Sequence, residues 1–238
     1  MDARAILQDA KGTPFTSASG EKGIIELEAP ISSEEIRKLS DELTSPLPLE
    51  YESLLAFCGG FESAIGFVDF YPGDTIREDL FPHGLPIAWD DAGNVWLLDL
   101  VAGEPTDEIP VFFGCHDPPV IVLQAKSITA FIADVIAYGR REPDNRITAI
   151  DEYTANIWKN DPGALTYHDC IQGDSTLSQF AQSLGLDYEF GDMRHAEVGQ
   201  GFADGKYGSD SITKRHDSER IFARQRRKLS FIQKIFGV

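Results

Sequence analysis

Apolar residues return along this chain in two rhythms. Around residues 32–43 and again around 47–58 they recur every three to four positions. Ile36, Leu39 and Leu43 share one helical face of the first stretch, and Tyr51, Leu54, Leu55 and Cys58 share one face of the second. Ser32 and Glu35 stand at capping-box spacing, with Ile31 and Ile36 at hydrophobic-staple spacing, so the first helix has a well-marked start. Pro48 suits the first turn of the second helix, and Gly59 with Gly60 are expected to end it by taking the left-handed turn. After Gly60 the rhythm shortens to two. Residues 65–71, 85–89, 94–100, 109–115 and 120–123 are rich in strand formers. Asp90-Asp91-Ala92-Gly93 and Asp117-Pro118-Pro119 are short turns between them, which predicts consecutive hairpins and hence an antiparallel sheet. Ser127 then caps a helix with Ile128, Phe131, Ile132, Val135 and Ile136 on one stripe, ended by Gly139.

Two helices, a run of hairpins and a third helix give an α+β fold. The expectation is an antiparallel sheet of four to six strands with the helices packed on one face. Residues 1–22 are small, polar and without pattern, and are expected to form a loose arm; residues 23–28 read as a first strand. Residues 23–141 make the principal domain, and the polar stretch 140–145 reads as a linker. Residues 146–238 are expected to form a mixed α/β extension. It carries one helical stripe at Ile147, Ile150, Tyr153, Ile157 and Trp158, and a second at Leu177, Phe180, Ala181 and Leu184, closed by Gly185. Residues 187–213 read as short strands and turns.

The order Leu47, Pro48, Tyr51, Leu54, Leu55, Gly59, Gly60 resembles the signature of the SUKH superfamily, Leu-Pro-x-x-Tyr-x-x-Phe/Leu-Leu followed three residues later by Gly-Gly. That group includes fungal cell-wall-assembly regulators of Smi/Knr type and many bacterial immunity proteins. The resemblance covers about residues 25–140. Asn often precedes the glycines in the family, and Cys58 stands there instead, so no Asn-specific contact carries over. The resemblance implies a non-enzymatic, protein-binding immunity protein that neutralises a cognate toxin such as a nuclease. The alternative it implies is an intracellular regulator or scaffold that binds its partner through the extension.

Composition sharpens this picture. The formal charge is −18, and eight basic against two acidic side chains fall within residues 211–238, so the other 210 residues carry −24. Such a body repels nucleic acid and attracts a basic partner, for example a toxin domain that holds phosphates. The absence of a long apolar run argues against a membrane span, and the start of the chain lacks a signal-peptide pattern, so a cytoplasmic location is expected. Three cysteines without paired spacing suggest neither a disulfide framework nor a zinc site, and no cofactor motif is present.

Candidate chemistry is sparse. Cys115-His116-Asp117 has reactive residue types, but neighbours on a strand point to opposite faces, so no catalytic residue is assigned there. Tyr167-His168-Asp169-Cys170 reads as an ordinary loop, and residues 199–205, despite three glycines, as a turn-rich linker. Acidic residues gather in loops at Asp74, Glu78 and Asp79, at Asp90 and Asp91, and at Glu104, Asp107 and Glu108; they form either a solvated rim or a basic-partner interface. The partner-binding candidates are the acids Asp90, Asp91, Asp107, Glu108 and Asp117 with His116, and Tyr71 and Trp89 as apolar anchors. Residues 219–238 interleave Ile221, Phe222, Leu229, Phe231, Ile232, Ile235 and Phe236 with Arg and Lys. They read either as an amphipathic helix for a membrane or nucleic acid, or as a segment folded back onto the acidic body. The charge difference favours folding back.

Overall fold

The computed structural model describes residues 2–43, 47–71, 80–82, 84–90, 92–100, 109–208, 211–217 and 219–226. The chain begins with helix α1 (Ala3–Ala10), strands β1 (Pro14–Thr16) and β2 (Lys22–Ile24), and helices α2 (Ser33–Glu42) and α3 (Leu49–Leu55). Six strands follow: β3 (Gly60–Ser63), β4 (Gly66–Asp69), β5 (Gly84–Trp89), β6 (Val95–Asp99), β7 (Val111–His116) and β8 (Pro119–Ala125). Then come helices α4 (Ile128–Gly139) and α5 (Ile150–Asn160), strand β9 (Ala164–Leu165), and helices α6 (Tyr167–Cys170) and α7 (Ser175–Leu184). Strands β10 (Tyr188–Asp192), β11 (Gly201–Phe202), β12 (Thr213–Arg215) and β13 (Ile221–Gln225) complete the described part.

The fold is α+β. Strands β3 to β8 form consecutive antiparallel pairs, and β11, from the later part of the chain, adds to β8 to make a seven-stranded sheet, ordered β11-β8-β7-β6-β5-β4-β3. The helix side of this sheet holds the larger core, where Tyr51, Leu54, Leu55 and Cys58 from around α3 meet Phe131, Ile132 and Val135 of α4. Ser32 makes the capping box read from the sequence, accepting from Glu35 N at 3.3 Å while Glu35 Oε2 accepts from Ser32 N at 3.1 Å. Tyr51 is fully buried and its hydroxyl donates to Phe70 O at 2.5 Å, which ties α3 to the chain just past β4.

The second side of the sheet is covered too, which the hairpin pattern did not reveal. A four-stranded sheet, ordered β12-β13-β10-β9, lies against it. Val95, Leu97, Phe112, Ile121 and Leu123 of the large sheet are buried there with Phe202 and Phe222. Trp96, Leu98, Phe113 and Val122 point the other way, into the helix-side core. Strand β6 is consequently buried at all five positions, as a strand sandwiched on both faces must be.

Several expectations need correction. Residues 1–22 are not a loose arm: Asp2 caps α1 through Ala5 N at 2.8 Å, and Ala3, Leu7 and Ala10 are buried beside α4. Gly59 and Gly60 do not take left-handed angles. They are glycines because of close approach: a Cβ on Gly60 would sit 2.4 Å from Val68 O, and one on Gly59 2.9 Å from Ile31 Cδ1. The strand within residues 65–71 is shorter than the stretch, β4 from Gly66 to Asp69, and Gly66 enters it from the β3–β4 turn with φ +99°. Tyr167 to Cys170 is a short helix with its own capping box, Thr166 to Asp169, and not a loop. Residues 199–205 are not a free linker, because Gly201 and Phe202 pair with Val122 and Ile121, and a Cβ on Gly201 would strike Ile121 O at 2.1 Å. Residues 221–225 are a buried strand and not part of an amphipathic helix.

Candidate partner-binding surface

The register of the large sheet draws one continuous row of side chains across its second face. Val68 pairs with Ala88, so Phe67 stands opposite Trp89; Glu62 pairs with Phe67, and Trp89 with Val95. The row then passes through Gly114 and Ile121 to Phe202. From Val95 to Phe202 it lies under the four-stranded sheet. From Glu62 to Trp89 it lies open. Phe67 is 37% exposed and Trp89 39% exposed, a pair of neighbouring aromatic side chains among the large apolar residues left in solvent. The alternation that puts Val68 and Phe70 at zero exposure turns Phe67 outward, next to exposed Glu62 and half-buried Asp69.

The hairpin end of this face is fixed by hydrogen bonds. Asp90 Oδ1 accepts from Ala92 N at 3.0 Å and from Asn94 N at 2.8 Å, and Asp90 Oδ2 accepts from Asn94 Nδ2 at 2.7 Å. Asn94 Oδ1 in turn accepts from His116 N at 3.0 Å. The β5–β6 turn is thereby tied to the end of β7, and Gly66 brings the β3–β4 turn close to Trp89 O, at 3.5 Å from where its Cβ would be. Trp89, Asp90, His116 and Asp117 are thus brought to one end of the sheet. Tyr71 is not with them. It lies beyond the opposite end of β4, near α2, where partial burial and the charges of Glu35 and Glu42 push its phenol above the ordinary value. Asp91, Asp107 and Glu108 lie outside the described residues, as do Asp74, Glu78, Asp79 and Glu104. Sequence reasoning missed Glu62, Phe67 and Asn94. The two-residue period through Val68 and Phe70 was the signal for Phe67; Asn94 carried none.

Three arginines of the later chain are engaged internally. Arg215 and Arg220 both bond the buried carboxylate of Asp99, at 2.7 Å each. Arg224, 1% exposed, reaches Asp161, Glu189 and Ala203 O and stacks over the rings of Phe202 and Tyr207. The part of residues 219–238 that is described therefore folds back onto the acidic body; residues 227–238 lie outside the described residues.

The reactive-looking triplet is divided as its strand geometry requires. Cys115 lies in the helix-side core and His116 in solvent. Cys58 and Cys170 are buried thiols pushed up to about 11 and about 12, chiefly by burial. A cleft of about 310 Å³ beside β7 and β8 is lined in part by Lys126, Arg194 and Arg220. Each of these is already paired, with Glu197, with Asp174 and Asp192, and with Asp99. Among the described residues no group of three His, Cys, Asp or Glu is placed to hold a metal ion, and no helix is long and apolar enough to cross a membrane.

The model of the SMI1 / KNR4 family (SUKH-1) matches residues 30–134, from the residues before the α2 capping box to within α4. No curated protein and no solved structure matches the chain. The match spans the α2–α3 pair, all six consecutive strands and most of α4 that the sequence signature implied, so residues 30–134 are similar to an SMI1/KNR4-type (SUKH-1) domain.

Proposed function

We propose that the protein is a non-catalytic protein-binding module of immunity type, which neutralises a basic toxin through the open half-face of its large sheet. The observation that carries this reading is the row Glu62–Phe67–Trp89. Two aromatic side chains stand exposed side by side, with the carboxylates of Glu62, Asp69 and Asp90 around them. Aromatic anchors inside a polar rim are the composition that concentrates binding energy at interfaces. The formal charge of −18 would speed encounter with a basic, phosphate-binding domain by electrostatic steering. The Asp90–Asn94–His116 bonds hold the hairpin end in one conformation, so binding need not order it. The scaffold reading, with the extension as the binding arm, is favoured less, because Arg215, Arg220 and Arg224 are occupied within the chain.

An immunity gene sits directly after its toxin gene, so the product of the neighbouring gene is the partner to test. Co-expression is expected to relieve its toxicity and to give a complex whose association slows as salt rises. Trp89→Ala is expected to weaken the complex by about 2 kcal/mol, roughly thirtyfold. Unrelieved toxicity, or a complex indifferent to both Phe67→Ala and Trp89→Ala, would overturn the proposal.

A further inference from the structure

The cleft beside β7 and β8 joins apolar walls to positive charge. Its walls include Phe112 and Leu123, from the second face of the large sheet, and Met193, just past β10. All three belong to the second core, so the cleft opens directly onto buried apolar side chains. Lys126, Arg194 and Arg220 line it as well. Pro110, another lining residue, accepts from Asp99 N at 3.0 Å. The cleft therefore lies at the Asp99 end of the sheet, opposite the end that carries Trp89 and His116.

Ion pairing does not use up these cations. Arg220 reaches the buried carboxylate of Asp99 through Nε at 2.7 Å, and Arg215 takes both oxygens of the same carboxylate, at 2.7 and 3.0 Å. Two guanidinium groups thus share one carboxylate, which leaves this cluster with one positive charge in excess. Among the described residues, neither Nη of Arg220 has a hydrogen-bond partner. Arg194 is held along one edge, Nε and Nη2 on Asp192 and Nη2 also on Asp174, and its Nη1 has no partner among the described residues. A guanidinium carries five donors in a rigid fork, so a carboxylate behind it fixes its position and still leaves donors for a ligand. Arg220 is the principal anchor, since Arg194 already faces two acids. Lys126 pairs with Glu197 at 2.7 Å, but both side chains stand well out in solvent, where such a pair contributes little. Glu197 is therefore a carboxylate that an incoming anion can displace.

We propose that this cleft binds a small organic acid, a carboxylate carried on a short apolar body. The carboxylate meets the Nη edge of Arg220 with Lys126 released toward it, and the apolar body rests on Phe112, Leu123 and Met193. Bonds from a guanidinium to a carboxylate are roughly twice as strong as those between neutral groups. The volume, about 310 Å³, stands at the lower end for small-molecule sites, which selects a compact acid. The formal charge of −18 opposes an anion at long range, but salt screens that repulsion beyond about 8 Å, so the local guanidinium groups decide. The proposal goes beyond toxin binding: it uses the other end of the sheet and a ligand of the opposite charge, so the two readings stand or fall separately.

Met193 supplies a reporter inside the cleft. The chain has two methionines, Met1 and Met193, so labelling the methionine methyl groups with carbon-13 gives a two-signal spectrum. The full chain is titrated with benzoate at constant ionic strength, and with benzamide as the neutral control of the same shape. The expected result is a saturable shift confined to Met193, with a dissociation constant on the order of 1 mM, ordinary for so small a ligand, and no saturable shift with benzamide. Arg220→Gln is expected to weaken benzoate about tenfold or more, because it removes charged donors. Glu197→Gln, at an exposed position that leaves the fold alone, is expected to tighten benzoate about two- to fivefold by freeing Lys126. Should Arg220→Gln fail to fold, the Glu197→Gln comparison carries the test by itself. An unmoved Met193 signal, an equal response to benzamide, a folded Arg220→Gln chain of unchanged affinity, or a Glu197→Gln chain that binds no tighter would each overturn the proposal.

Discussion

Replacing Arg224 by methionine is the sharpest test of how the later chain is held to the sheet. Arg224 is buried at 1% exposure between Asp161 and Glu189, whose side chains are 15% and 18% exposed. Methionine fills much of the same volume over Phe202 and Tyr207, so the perturbation is mainly the loss of the guanidinium. Removing one partner of a buried ion pair costs about 3–5 kcal/mol, because the other is left buried without its counter-charge. At about 2–4 °C per kcal/mol for a chain of this size, the melting temperature should fall by roughly 6–20 °C. The pH dependence gives a second, independent check. Burial pushes the Glu189 carboxyl up, but hydrogen bonds from Arg224 and Tyr207 and the nearby guanidinium charges outweigh it and hold the group below its ordinary value of 4.5. The stabilisation from a lowered carboxyl is present above the unfolded value and is lost as pH falls through the folded one. The deficit of Arg224→Met should therefore be full at pH 7 and shrink once pH drops below about 4.5. Denaturant titrations of both chains across this range would read it. A loss under about 1 kcal/mol at pH 7, or a deficit that does not change with pH, would refute the reasoning.

Three further outcomes follow from particular contacts. Gly60→Ala should destabilise by about 2 kcal/mol or more, since its Cβ would meet the backbone oxygen of Val68 at 2.4 Å; Gly59→Ala should cost less, because the Ile31 Cδ1 it meets can move, and thermal melts would rank the two. Cys58 and Cys170, at about 11 and about 12 through burial, should resist alkylation at pH 8 in the native chain and react at once in denaturant, as mass spectrometry would show. The Asp134 carboxyl is raised by burial, a shift that Arg146 only partly opposes, so ionisation there costs stability above its folded value. Asp134→Asn should be neutral or stabilising at pH 7, with the difference vanishing below about pH 4; a clear loss at pH 7 would show that the charge is needed.

Much of the fold was legible because its signals are local. Ser32 and Glu35 announce α2, the stripe from Ile128 to Ile136 announces α4, and the turn residues around Asp90 and Asp117 announce their hairpins. The parts that were missed have distant causes. Gly60 is explained by Val68 O across a strand pair, and Gly201 by Ile121 O at the far edge of the sheet. Helix α1 offers few large apolar residues, Ile6 and Leu7, and buries itself mostly through alanines, so its stripe is faint. The continuous apolar run Val95-Trp96-Leu97-Leu98 did carry the mark of a strand covered on both sides. What covers the second side could not be read, because Met193 and Phe222 reach it only through the tertiary arrangement. The candidate surface was half legible: Trp89 and Asp90 from their turn, but not Phe67, whose exposure depends on where the second sheet stops.

The two-sided burial of the large sheet has a consequence for how the chain comes off the ribosome. Strands β3 to β8 and helix α4 can assemble as soon as they emerge, yet Val95, Leu97, Phe112, Ile121 and Leu123 have only part of their cover, from Leu80 and Phe81, until Met193, Ala196 and Phe222 have been made. Phe222 follows Ala125, the end of β8, by roughly a hundred residues, a delay on the order of 5–20 s at ordinary rates of synthesis. Throughout that interval the nascent domain presents a broad apolar sheet face, and successful production depends on chaperones or on keeping neighbouring nascent chains apart.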